Sequence, residues 1–85
     1  MTRYAVFVEV ALRPGIADPQ GATIERALPT LGFGSVRGVR VGKAFRFEVE
    51  AATDDEARGQ ATALASRLLS NPVMEDSSVS VEVVA

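Results

Sequence analysis

The side chains best placed to do chemistry are acids. Asp54, Asp55 and Glu56 are consecutive, and Glu48 and Glu50 stand two positions apart. Three neighbouring carboxylates could ligate a hard cation, which takes oxygen donors. Two carboxylates on one strand face could serve as general acid and base. Each group also has a plainer explanation. Thr53 precedes the acidic run and Glu56 follows it by three, the pattern of a capping box at a helix start. Glu48 and Glu50 alternate with Phe45, Phe47 and Val49, as the wet face of a half-buried strand does. The plainer explanations are preferred.

Most other chemistry is excluded by residue type. The chain has no histidine and no cysteine, so the usual general base and the soft metal ligands are missing. Ser35, Ser66 and Ser70 have no imidazole to activate them. The glycines around Phe33 and between Gly38 and Gly42 do not form a dinucleotide fingerprint, and no Gly-Lys-Ser/Thr phosphate loop occurs. Arg37, Arg40, Lys43 and Arg46 fall within ten positions without an intervening acid. The aromatic residues nearby are Phe33, Phe45 and Phe47, and the periodicity claims Phe45 and Phe47 for the core. The basic run therefore suits a solvated edge or a subunit contact better than a nucleic acid. Val36 to Arg40 superficially resembles the Gly- and Arg-containing loop of acylphosphatases, but it follows the first helix instead of the first strand, and that reading falls.

With no site chemistry to position, the elements themselves carry the information. The chain's 85 residues make a single domain, residues 1–85. A domain of this size buries only about 60% of its unfolded surface, and without cysteine it has no disulfide to help. Self-association is the remaining source of buried area. The net charge of −2 argues against a general nucleic-acid binder. No stretch approaches the roughly 20 apolar residues of a membrane span. Met1-Thr2-Arg3 leads directly into an alternating pattern, unlike a signal peptide, so a cytoplasmic location is expected.

Tyr4, Val6, Val8, Val10 and Leu12 repeat at period two, which predicts a strand ended by Pro14-Gly15. Asp18-Pro19 predicts a helix start, and Ile24, Ala27, Leu28 and Leu31 give it a core stripe. Gly32 is the expected stop, while Pro29 should disturb the last turn. Ser35 to Glu50 reads as two strands, with Gly42-Lys43 either a tight turn between them or part of one long bent strand. A second helix follows Thr53, with Ala57, Ala61, Leu64, Ala65 and Leu68 on its inner stripe, and Asn71-Pro72 ends it. Val79, Val81 and Val83 make a last strand. The predicted fold is an α+β two-layer sandwich of order βαββαβ, an antiparallel sheet with two helices on one face.

Three blocks, in order and spanning nearly the whole chain, resemble the PurS family. The first is Gly15-Ile16-Ala17-Asp18-Pro19-Gln20-Gly21, with Leu31-Gly32-Phe33 after it. The second is Val39-Arg40-Val41-Gly42-Lys43, and the third is Leu68-Leu69-Ser70-Asn71-Pro72-Val73-Met74-Glu75. Family members typically read G-[VI]-x-D-P-Q-G, L-G-[YF], V-R-x-G-K and L-L-x-N-P-V-[IM]-E. Pro14 and Pro29 depart from the usual pattern.

The resemblance implies a non-catalytic small subunit of phosphoribosylformylglycinamidine synthase, acting in de novo purine biosynthesis. It implies two partners, a synthetase subunit that uses ATP and a glutaminase subunit that releases ammonia from glutamine. This chain would bridge them, bind no cofactor itself, and form a homodimer or homotetramer. The expected partner-contact residues are Asp18, Gln20, Gly21, Arg40, Gly42, Lys43, Asn71 and Glu75. The Arg40–Lys43 stretch would project toward the synthetase. The rivals are a ferredoxin-like regulatory module that holds a small ligand, and a free-standing enzyme built on Glu48 and Glu50.

Overall fold

Strand β1, Thr2–Leu12, lies between two antiparallel neighbours, β2 (Gly42–Ala51) and β3 (Glu75–Val83), in the order β2-β1-β3. This arrangement comes from a computed structural model, which describes residues 1–84. The register aligns the apolar positions in rows, Phe47–Val6–Val81 and Phe45–Val8–Val79, on one face of the sheet. The other face carries Arg46–Phe7–Ser80 and Glu48–Ala5–Glu82. A slip of one residue would exchange the two faces, so the alternation in β1 sets the register of the whole sheet.

Helix α2, Asp54–Leu64, covers the apolar face. Its start is as predicted, since the Thr53 hydroxyl oxygen accepts the Glu56 N–H at 3.2 Å. Ala57, Ala61 and Ala65 are fully buried beside Tyr4, Val6, Val8 and Val10. Beyond Leu64 the chain widens into a π-turn, Ala65–Leu69, closed by the Ser70 N–H on the Ala65 carbonyl at 3.0 Å. The extra residue in this turn shifts the side chains near its end around the helix axis. Leu69, not Leu68 as the 3.6-residue period requires, packs on the core, and Leu68 is 74% exposed.

Helix α1, Pro19–Ala27, also departs from expectation. It packs mainly against the segment 36–41 and covers little of the sheet. Its stripe is largely wet, with Ile24 46% and Leu31 66% exposed. Pro29 does not bend the helix but ends it, opening a 3₁₀ turn, Pro29–Leu31, before Gly32 at φ 92°. The α+β class and the antiparallel sheet hold. Of the two strands read in Ser35–Glu50, however, only β2 joins a ladder, and Gly42-Lys43 begins that strand with no turn. The residues before β2 form no regular element, and the Val39 and Val41 amides bond to side chains.

One helix on three strands leaves a thin, long molecule, 53 × 30 × 14 Å, with a radius of gyration of 16.6 Å. A compact chain of this length would have about 12 Å.

The π-turn makes a specific demand on stability. Leu69→Ala should lose about 2 kcal/mol, whereas Leu68→Ala should stay within about 0.5 kcal/mol. Urea unfolding of both variants at one protein concentration tests this, and the reverse order would show an unbroken α-helix with Leu68 inside.

Candidate functional site

Among the described residues the segment before β2 has no ladder partner, so its backbone amides must be satisfied otherwise. Two carboxylates do this. Glu25, on α1, accepts the Val39 N–H at 2.9 Å, and Asp18 accepts the Val41 N–H at 2.7 Å. The second oxygen of Asp18 caps α1 by accepting the Gly21 N–H at 2.9 Å. One side chain, only 6% exposed, thus ties the helix start to the strand entry. The two backbone N–H groups hold its pKa below the ordinary carboxylate value of 3.8, with a smaller contribution from Arg40, whose Nε lies 4.0 Å away.

Gly21 is buried at this joint. A Cβ there would stand 2.4 Å from the Val39 carbonyl oxygen, so only glycine lets the segment lie this close to the helix. Gly42 has a related role, because a Cβ would meet the Val10 carbonyl oxygen at 2.7 Å. Arg40 does not project freely. Its guanidinium donates to the Ile16 carbonyl at 3.1 Å and the Arg13 carbonyl at 3.4 Å.

The last two predicted residues build a neighbouring joint. Glu75 accepts the Asn71 N–H at 2.7 Å, and the Asn71 side-chain oxygen accepts the Val73 N–H at 3.0 Å. Lys43 reaches Glu75 at 3.7 Å and the Leu69 carbonyl at 3.4 Å. Arg13 links the two joints. It binds Asp76 at 3.1 Å and the Pro72 carbonyl, while its own carbonyl receives Arg40.

All eight predicted positions therefore gather at one end of the sheet, where Leu12, Gly42 and Glu75 lie. Seven have bonds or close packing within the chain. Gln20 is exposed and makes no side-chain hydrogen bond among the described residues. Sequence reasoning missed Glu25 and Arg13. Neither interrupts a period nor belongs to a motif, and only the fold brings them to their partners. The acidic run stays at the start of α2, and no group of three or more potential metal ligands occurs among the described residues.

This joint accounts for the three sequence blocks as interlocking parts, and comparison with known proteins agrees. Residues 5–83 match the family model described as PurS, phosphoribosylformylglycinamidine (FGAM) synthase. The chain belongs to the PurS family. It is 38% identical over 72 residues to the Archaeoglobus fulgidus synthase subunit PurS, covering 85% of this chain and 90% of that one. It is 42% identical over 69 residues to the Mycobacterium leprae subunit, covering 81% and 84%. Among solved structures, a chain of PurLQS from Thermotoga maritima superposes with TM-score 0.88 at 33% identity, covering 96% and 100%. PurS of Methanocaldococcus jannaschii gives 0.85 at 30% identity, covering 96% and 99%.

In this PurS-family chain the aspartate of D-P-Q-G is a joint before it is anything else. Because its folded pKa is lowered, its stabilisation is complete above the ordinary value near 3.8 and is lost as pH falls through the folded value. Asp18→Asn should therefore be less stable than the parent at pH 7, with the gap closing below that range. Urea unfolding across pH tests it, and a gap independent of pH would mean the charge is immaterial. Gly21→Ala should lose about 1–3 kcal/mol through overpacking, read from the same unfolding curves.

Proposed function

We propose that this chain is the small subunit of an FGAM synthase, holding a synthetase and a glutaminase subunit together for glutamine-dependent amidine formation. The observation that carries this is its superposition, over 96% of its length, on a chain of the Thermotoga maritima PurLQS structure. On this reading ATP and glutamine are handled by the partner subunits in the cytoplasm, and the chain binds no cofactor of its own. No helix among the described residues is long and apolar enough to cross a membrane.

The end of the sheet around α1 is the surface assigned to partners. Gln20 offers a side-chain amide with no hydrogen bond among the described residues. Arg40 and Lys43, 44% and 53% exposed, keep donor capacity while carbonyls hold them in place. Asp18, Gly21, Gly42, Asn71 and Glu75 serve this contact by fixing the backbone that presents it. Positions held this firmly lose little side-chain freedom on binding, which favours association.

Self-association belongs to the same reading, as a homodimer or homotetramer. A thin layer with wet Ile24, Leu31, Phe33, Leu68 and Val73 leaves apolar surface that a second copy would cover.

Reconstitution with the cognate synthetase and glutaminase is the test. Glutamine-dependent activity should fall at least about tenfold when this chain is omitted, while ammonia-dependent activity should be nearly unchanged. Equal activities with and without it would remove the bridging role. The Arg40→Ala, Lys43→Ala double variant should co-purify poorly with the synthetase while keeping its circular dichroism spectrum. Full assembly and activity would take these two residues out of the contact.

A further inference from the structure

Beside the joint, α1 and the segment 36–40 form the walls of an open cleft of about 600 Å³. Arg26 lines it from the helix, and Arg37 and Arg40 line it from the segment. Asp18 and Glu25 also line it, so three positive charges stand against two negative ones. The carboxylates are occupied. Both oxygens of Asp18 and one of Glu25 accept backbone N–H groups. The arginines are only partly engaged. Arg26 donates through Nη2 to the Thr23 hydroxyl at 3.2 Å, and Arg37 donates through Nη1 to the Gly34 carbonyl at 2.6 Å. Among the described residues no carboxylate lies within ion-pair distance of either. Their remaining guanidinium nitrogens have no acceptor there.

The backbone adds donors. Gly38 is left-handed, at φ 71°, a conformation that can turn successive N–H groups to one side and make an anion-binding concavity. The Arg37 and Gly38 N–H groups have no hydrogen-bond acceptor among the described residues.

We propose that this cleft binds the phosphate group of a small phosphate monoester, with Arg26 and Arg37 gripping it and Arg40 adding charge at the wall. The proposal goes beyond the subunit reading and does not rest on it. Guanidinium forks match phosphate oxygens and bind them through paired, charge-assisted hydrogen bonds. Arg26 and Arg37 are exposed and stand on different walls, the placement that lets two forks close on one anion.

The size and lining of the cleft decide what else the ligand carries. Its volume falls in the range of small-molecule sites, roughly 300–1,000 Å³, which leaves room for more than the phosphate. Pro29 and Val36 give the rest of the cleft an apolar lining. None of the described residues that line it is aromatic, so it has no platform for stacking a nucleobase. A sugar phosphate suits these walls, and a single-stranded nucleic acid does not.

Amide NMR spectra of the full-length protein, titrated with ribose monophosphate, test this. The Arg37, Gly38 and Val39 signals should shift saturably, and unphosphorylated ribose should leave them in place. The Arg26→Ala, Arg37→Ala double variant should keep its circular dichroism spectrum and raise the dissociation constant at least about tenfold, through the loss of charge-assisted bonds. Arg67→Ala is the control, because Arg67 lies in the π-turn and lines no part of the cleft. It should change the constant less than about twofold, the effect of a distant screened charge. Succinate that binds as tightly would make the cleft a seat for a partner's carboxylates and overturn the proposal. Absent or unsaturable shifts would do the same, as would a double variant that binds like the parent.

Discussion

The α1 end of this molecule depends on one carboxylate with two jobs. Asp18 caps a helix, an ordinary role for its residue type, and the same group accepts the amide that leads into β2. The second bond makes the cap a joint. It sets where α1 sits relative to the sheet, and through Gly21 it sets how closely the connecting segment approaches. Glu25 repeats the device further along the helix. Two acids thereby take the place of a strand neighbour for the Val39 and Val41 amides, and the segment stays outside the ladder.

The second organising constraint is that one helix covers three strands. The buried layer is small, made of valines and a tyrosine on β1, Ala51 at the end of β2, and alanines of α2 and its π-turn, with phenylalanines and valines of the outer strands half-covered at its margin. The opposite face carries a salt bridge and a stacked arginine. Such a molecule is a plate with one covered side, and its outline is long because α1 extends it instead of thickening it. This shape suits a component that presents edges and ends to other proteins.

A physical rule separates the features legible in the sequence from those that needed the fold. Period-two valines, the capping threonine and the Asp-Pro start are local signals, each contained in a short stretch of chain, and they placed β1, α2 and the start of α1. The errors arose where distant parts meet. Val39 and Val41 look like strand residues because they are β-branched and alternate, yet their amides bond to side chains from a helix and its cap. Leu68 fits a helical stripe that the π-turn displaces by one position, and nothing in Ala65–Leu69 announces the wider turn. Ile24 and Leu31 trace a core stripe with no core beneath most of it. The candidate contact residues were read as two separate contacts; that they gather at one end of the sheet, their in-chain bonds, and the parts of Glu25 and Arg13 all required the fold.

The alanines on α2 and at the head of the π-turn that follows it have a thermodynamic consequence. Ala57, Ala61 and Ala65 meet the sheet with side chains that have no rotamers to freeze, so the helix docks without the ordering entropy that leucines would lose. The same choice removes little apolar area from water per residue. A small change in exposed apolar area means a small heat-capacity change on unfolding. The stability of the isolated chain therefore varies gently with temperature, a broad shallow curve in place of a tall narrow one.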